Sequence, residues 1–501
     1  MKKQNNIDKV RPSRDGHEYH EAWTARKALQ LLLPKDNLIG IAVEGLQTEE
    51  QSFAAPETNE IADIVLYYGK NCTFDDSENI KIVQFKYSTK SARSDFRASN
   101  ANKTITKFAA AYNDFLSQYS AKTVNEKLKF ELITNRPIYK PFIQAVENIA
   151  NGKNSSSDAK VNEQMQQFKK LCGLKDKKLF ELARKCEFIG LTENLTETKK
   201  DISRILVDWS AGNDALAKVC LGSLKQMVRD KAGSAGIKNN VIKHVDILAA
   251  LELQDVNDLL PCPESLPEVG KIVHREQLTD AIKLIENINN PLLIHAAGGM
   301  GKTVFLQSIS KALSKEHEVL FFDCFGGGAY RAPDDSRHHP NRGLIHIINS
   351  LAANSLCDPI LPGNHGLEAL VKKFRQRLSQ CVNTLSTASK NRGLIIFIDA
   401  IDNAYWQASD RNEPSFPIVL LESLNYNGNI PGVKFILSCR THRIKEATKE
   451  IPCRYFELKP FNLSETQIYL RDRRPNVTEV EIQVAQSRSA GNPRVLEHLN
   501  S

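Results

Sequence analysis

Apolar positions along this chain fall into two α/β stretches separated by a mostly helical one. In the first, Glu18–Leu33 (EYHEAWTARKALQLLL) carries apolar residues at helical spacing and stops at Pro34. LIGIAVEG, EIADIVLYYG and KIVQFKYS then read as strands, being short runs rich in Ile, Val, Tyr and Phe. The polar GKNCTFDDSEN joins the last two as a hairpin-type loop, and a helix (ITKFAAAYNDFLSQY) and a strand (KFELITNRP) follow. This pattern predicts a mixed α/β domain over 1–150.

Residues 151–163 (NGKNSSSDAKVNE) are polar and loop-like. From there the spacing is helical through EQMQQFKKLCGL, DISRILVDWSAG, ALAKVCLGSLKQMVRDKAG and VIKHVDILAALEL, with one strand, CEFIGL. A linker and helical connector is expected over 151–262. Three prolines in LLPCPESLPEVG mark an interdomain linker. Over 263–460, PLLIHAA, EVLFFD, GLIIFIDA, VKFILSCR and RYFELKP alternate with helical patterns, which predicts a parallel sheet with helices on both faces. The last stretch, 461–501, reads as helical.

A chain of 501 residues is expected to hold about three domains. Hydrophobic content of 41% with 25% charged residues is that of a globular protein. No run of about 18 apolar residues predicts a membrane span. The basic N-terminus lacks the apolar core of a secretory signal. Ten cysteines without a CxxC pair argue against a zinc ribbon or disulfide framework and for reduced thiols, so a cytoplasmic location is expected. A net charge of +8 permits a nucleic-acid partner without requiring one.

The most specific chemistry lies in LLIHAAGGMGKT (292–303), where an apolar strand enters a glycine-rich turn that opens a helix. This is the Walker A arrangement: backbone N–H groups and a helix N-terminus close on phosphate oxygens. Gly298, Gly299 and Gly301 shape the loop, Lys302 reaches the β/γ-phosphates, and Thr303 takes Mg²⁺. One departure is Ala296 at the first glycine position. GLIIFIDAIDNA (393–404) reads as a Walker B strand with Asp399 at its tip as a Mg²⁺ ligand, and Asp402 is placed to orient the attacking water. Arg440, closing FILSCR, is placed to sense the γ-phosphate.

In the N-terminal block, Glu44, Asp63 and the Gln84-Phe85-Lys86 triplet sit at strand ends. Residues two apart in a strand share a face, so Gln84 and Lys86 project together. Acidic residue beside [E/D/Q]xK is the layout of PD-(D/E)xK nucleases, in which a metal-bound water attacks a phosphodiester and the lysine stabilises charge. Asp63 and Gln84 would hold the metal, Lys86 would act on the water, and Glu44 or Glu21 would supply the missing negative charge. Lys90, Arg93, Arg97, Lys103 and Lys107 follow, as contacts to DNA phosphates or as a solvated face. His17 and His20 read as structural, and Trp23 as core.

Two resemblances extend this. HAAGGMGKT, LIIFIDAIDNA, LSCRTHR and GNPR, in that order over roughly 270–501, resemble the STAND class of P-loop NTPases, which includes plant resistance proteins and bacterial antiviral Avs proteins. It implies that Pro493 of the Gly-x-Pro contacts adenine and that Arg275 of VHREQL lies near the nucleotide. Asn403 stands where many relatives carry an acidic residue, which implies slow hydrolysis. Over about 10–150, DGHEYHEAWTARKALQLL, IVQFKYS and FELITNRP resemble Mrr-like and DUF4297-like nucleases. Together they imply an α/β protein with a restriction-endonuclease-like domain, a helical connector and a STAND NTPase core over 263–460. A lid with the Gly-x-Pro would follow over 461–501, truncated before a winged-helix or repeat sensor.

The function so implied is an antiphage effector: a Mg²⁺-dependent endonuclease acting on double-stranded DNA. ATP-dependent homo-oligomerisation would activate it after a phage protein or other trigger is sensed outside this chain. A nucleotide-gated assembly switch with an inactive N-terminal domain, and an ATP-driven restriction enzyme, remain as rivals.

Overall fold

The computed structural model describes residues 4–33, 37–51, 62–266, 272–389 and 392–500. Pro34, where the first helix is expected to stop, and Pro267 of the linker lie outside the described residues. The chain divides into two compact units. One runs to Asp208 and from Asp214 to Asp255; the other takes Trp209–Asn213 and everything from Val256 on.

The first unit is built on a six-stranded sheet of order β5-β4-β3-β2-β1-β6. Strands β1 (Leu38–Val43), β2 (Ile64–Gly69) and β3 (Ser77–Phe85) form an antiparallel meander. The helix Asn102–Gln118 then crosses over to β4 (Leu128–Ile133), which lies parallel to β3. That helix buries Ile105, Phe108, Tyr112 and Phe115 at helical spacing. They join a core with Tyr67, Phe74, Ile82 and Phe130 from the sheet.

The expected connector does not stand apart from this domain. β5 (Cys186–Ile189) extends the sheet beside β4, and β6 (Val241–Lys243) closes the opposite edge beside β1. The segment VIKHVDILAALEL, expected as one helix, therefore splits. Its β-branched Val241 and Ile242 pair with β1, and the helix starts only at His244. Asn240 fixes this edge: its buried amide donates to the carbonyls of Val43 and Leu46, both at 2.9 Å.

The second unit holds an all-parallel sheet of order β11-β7-β10-β9-β8, formed by β7 (Leu292–Ala296), β8 (Glu318–Asp323), β9 (Leu394–Asp399), β10 (Val433–Arg440) and β11 (Arg454–Glu457). Four were legible as apolar runs, and β11 (RYFE) as a short aromatic segment between charged residues. The first of these strands, β7, sits inside the sheet between β10 and β11, so the loop after it emerges at the carboxyl edge where parallel sheets bind ligands. Beyond β11, the helices Leu463–Arg473, Glu479–Ser489 and Pro493–Asn500 pack around Phe461, Tyr469, Leu470, Ile482 and Leu496.

Candidate functional site

The glycine-rich loop works through its backbone. Gly299 (φ 78°) and Gly301 (φ 80°) take left-handed conformations that L side chains rarely adopt. Ala296 does not: it is the last residue of β7, is buried, and is registered opposite Arg440 of β10. The Walker A departure thus falls where the chain is still extended and a Cβ is tolerated. Lys302 opens the helix Lys302–Leu313 and turns back, its ammonium donating to the Ala296 and Ala297 carbonyls, each at 3.1 Å. Burial pushes its pKa down, while the carboxylates of Asp402 and Asp399 oppose that shift.

Asp399 ends β9 and is 2% exposed. Its carboxylate accepts from the Thr303 hydroxyl at 2.6 Å and from the Ser438 hydroxyl. Desolvation raises its pKa, and these two donors counter the rise. Ser438, on β10, also accepts from the Ala400 N–H at 2.9 Å. Sequence reading missed Ser438. Its position two residues before Arg440, facing the tip of the neighbouring Walker B strand, was the available signal. Asp402 is buried and meets the guanidinium groups of Arg443 at 3.3 Å and Arg440 at 3.8 Å.

The GNPR segment lies directly on the loop. The Asn492 side-chain amide donates to the Gly298 carbonyl at 3.1 Å, and the Arg494 N–H donates to the Gly299 carbonyl at 3.3 Å. Pro493 approaches Gly301. Arg275 is buried: it donates to Glu465 at 3.2 Å and stacks over the Phe461 ring at 4.6 Å. Glu465 also completes the capping box of the helix Leu463–Arg473, so Arg275 ties the entry segment to the terminal helices. Desolvation lowers its pKa, and Glu465 opposes the shift.

A cavity of about 730 Å³ joins these parts. Its lining includes Lys302, Thr303, Asp399, Asp402, Arg440 and Pro493. Arg275 also reaches it, as do Tyr469 and Arg473, which sequence reading passed over. Its volume is that of a small-molecule or cofactor site. The donors fit a nucleoside triphosphate: the backbone N–H groups of a glycine-rich loop, an ammonium and a guanidinium for phosphate, and a hydroxyl beside a carboxylate for Mg²⁺.

The first unit brings Asp63, Gln84 and Lys86 together where β2 begins and β3 ends. One Asp63 carboxylate oxygen accepts from the Gln84 amide at 2.5 Å and from the Phe85 N–H at 2.6 Å. The Lys86 N–H donates to the Ile133 carbonyl at 2.9 Å, continuing the ladder one residue past β3. Desolvation lowers the Lys86 pKa, and Asp63 opposes that. Glu44 donates its N–H to the Asp63 carbonyl at 2.9 Å, and its exposed side chain follows a left-handed backbone (φ 55°). Desolvation, then the Asp63 charge, raises its carboxyl pKa.

Glu21, the other candidate, is ion-paired with Arg229 at 2.9 Å. His20 stands 3.9 Å from the Asp63 carboxylate, its pKa lowered chiefly by burial, and Trp23 packs half-buried on Phe85. Among the described residues no group of three or more His, Cys, Asp or Glu could by itself hold a metal ion. A cation here would rest on Asp63, the Gln84 amide oxygen and water, with Glu44 as the second charge. Of the basic residues that follow, Lys90, Arg93 and Lys103 are exposed, while Arg97 stacks on Tyr139 at 4.2 Å. No described helix is long and apolar enough to cross a membrane.

Residues 290–476 match the family model of the NACHT domain. No curated protein matches the chain. Among solved structures, a Walker-type ATPase of Pyrococcus abyssi is similar at 16% identity over 48% of this chain and 70% of that one, with a TM-score of 0.33. A signal transduction ATPase with numerous domains (STAND) carrying a tetratricopeptide repeat sensor, from Pyrococcus horikoshii, aligns at 16% identity. It covers 46% of this chain and 29% of its own, with a TM-score of 0.28. Drosophila ORC bound to DNA aligns at 16% identity over 45% and 59%, with a TM-score of 0.31. The NACHT match and the loop itself support a P-loop NTPase domain over residues 290–476.

Proposed function

We propose that this chain is a nucleotide-controlled DNA endonuclease. The observation that carries the nuclease half is the convergence of Asp63, Gln84 and Lys86 at the ends of two paired strands, with the Gln84 amide on the Asp63 carboxylate. The antiparallel β1–β2–β3 meander followed by a helical crossover to a parallel β4 supports it. It sets an acidic residue and a QxK triplet at the ends of the two central strands of a mixed sheet. Asp63 and Gln84 would hold Mg²⁺, which supplies a bound hydroxide and a Lewis acid for the scissile phosphate. Lys86, its charge disfavoured by burial, is suited to exchange a proton with that water and to stabilise the phosphorane. Glu44 completes the negative charge.

In the second unit, ATP with Mg²⁺ would sit across Lys302, Thr303 and Asp399, with Arg440 at the γ-phosphate. Arg275 and Pro493 would line the base side, and Asp402 would orient water. ATP-driven homo-oligomerisation would then bring nuclease sites onto both strands of a duplex. A phage component would be the trigger, as the resemblance to Avs-type proteins implies, with action in the cytoplasm. Domain roles follow the order of the chain: a nuclease unit into whose sheet the expected connector is built, then the NTPase core and the lid.

The test is cleavage of supercoiled plasmid with Mg²⁺ and ATP by the full chain, its Asp63→Ala variant and its Lys86→Ala variant. Both variants are expected to lose cleavage. Equal cleavage by the Lys86→Ala protein would leave the N-terminal unit a non-catalytic part of an assembly switch.

A further inference from the structure

Asp402 is 2% exposed and carries two arginines, but the two are not equivalent. Arg440, the last residue of β10, lines the nucleotide cavity together with Asp402. Arg443 does not line it, yet lies closer to the carboxylate, at 3.3 Å against 3.8 Å. Arg443 closes the single 3₁₀ turn Thr441–Arg443 that follows β10, and its guanidinium reaches the Asp402 carboxylate from there. Its guanidinium also stacks on Trp406, 5.3 Å from the ring centre and one helical turn after Asp402.

The division of labour follows from charge. When a γ-phosphate enters the cavity, Arg440 is the guanidinium that can turn to it, being on the cavity wall. That withdraws one of the two cations from a buried carboxylate. The other charged groups facing Asp402 are Lys302, itself committed to phosphate, and Arg443; the Cys439 thiol is the neighbouring titratable group. A buried carboxylate without a partner is costly, so Arg443 is the group that keeps Asp402 paired and aimed once Arg440 has moved.

We propose that Arg443 is a positioning residue for ATP hydrolysis: clamped on Trp406 outside the cavity, it holds Asp402 in the orientation needed to receive the attacking water. This rests on the NTPase reading of the second unit and is independent of the nuclease reading.

The test is steady-state ATPase kinetics of the full chain with Arg443→Ala, Arg443→Lys, Asp402→Asn and the double variant Arg443→Ala/Asp402→Asn. Arg443→Ala is expected to lower kcat at least about ten-fold with KM nearly unchanged, since Arg443 does not line the nucleotide cavity. Lysine keeps the charge and should restore most of the rate. The double variant should be no slower than Asp402→Asn alone, because the two act as one unit. A retained kcat in Arg443→Ala, a loss in KM only, or multiplicative losses in the double variant would overturn the proposal. A wild-type chain that binds but does not turn over ATP would overturn the hydrolase reading and this role with it. It would be told apart from the other failures because it appears before any substitution.

Discussion

The Thr303 hydroxyl donates to the Asp399 carboxylate at 2.6 Å, so the Walker A and Walker B groups assigned to Mg²⁺ already face each other across the cavity floor. Asp399→Asn keeps the shape but removes the charge, and Thr303→Ala removes the hydroxyl. Either is expected to weaken Mg²⁺-dependent ATP binding at least about ten-fold while leaving the weaker, Mg²⁺-free binding nearly intact. Titration calorimetry with and without EDTA reads both. Equal loss in the two conditions would mean the pair holds the fold rather than the ion.

Gly299 sits under the GNPR segment. A Cβ there would lie 2.8 Å from the Arg494 Cβ and 2.9 Å from the Asn492 side-chain oxygen, at a φ of 78°. Gly299→Ala should cost about 1–2 kcal/mol from the backbone alone, and should loosen the terminal helices from the loop. Limited proteolysis is expected to cut the variant earlier after Phe461. An unchanged digestion pattern would show that the loop and the GNPR segment are not mechanically joined.

Asn240 carries the edge that joins β6 to the first sheet. Replacing it by alanine strands the buried Val43 and Leu46 carbonyls, a loss of about 1–3 kcal/mol. The calorimetric transition of the first unit should shift down. No shift would mean that 151–255 behaves as a separate connector after all.

His346 gives a pH signature. Its ring is buried against Phe322, and its Nδ1 accepts from the Cys262 N–H at 3.1 Å. Desolvation, with Arg337 adding to it, pushes its pKa down to about 4 from 6.5. The sign follows: below pH 6.5 the unfolded chain takes up a proton that the folded one refuses. Stability is full above that pH and falls as pH drops toward 4, by about 3 kcal/mol in all. His346→Gln should flatten this slope in calorimetric scans between pH 7 and 4. An unaltered slope would assign the acid sensitivity to other groups.

The sequence made the elements legible where apolar runs are long or β-branched. Every strand that carries a candidate residue was visible, because β2, β3, β7, β9 and β10 are buried on both faces or nearly so. Val241–Lys243 was not, since its three residues continue the apolar spacing of the helix that follows. Only pairing with β1, some two hundred residues earlier, decides its state. The same holds within the sites. Lys302, Thr303 and Asp399 are announced by local motif, whereas Ser438 and Arg443 gain their roles from the neighbouring strand and helix. Glu21 looked as available as Glu44, and is instead engaged by Arg229, a partner 208 residues away. Long-range electrostatics of this kind leaves no local pattern.

The central claim couples a phosphodiester at Lys86 to a nucleotide at Lys302. The most direct measurement is plasmid cleavage by the full chain with its activating signal present, in Mg²⁺ with and without ATP. Lys86→Ala and Lys302→Ala are assayed beside it. The account predicts ATP-dependent cleavage by the wild type and loss of cleavage in both variants, with Lys86→Ala still binding ATP. Undiminished cleavage by Lys302→Ala would contradict the control by nucleotide, and undiminished cleavage by Lys86→Ala would contradict the site.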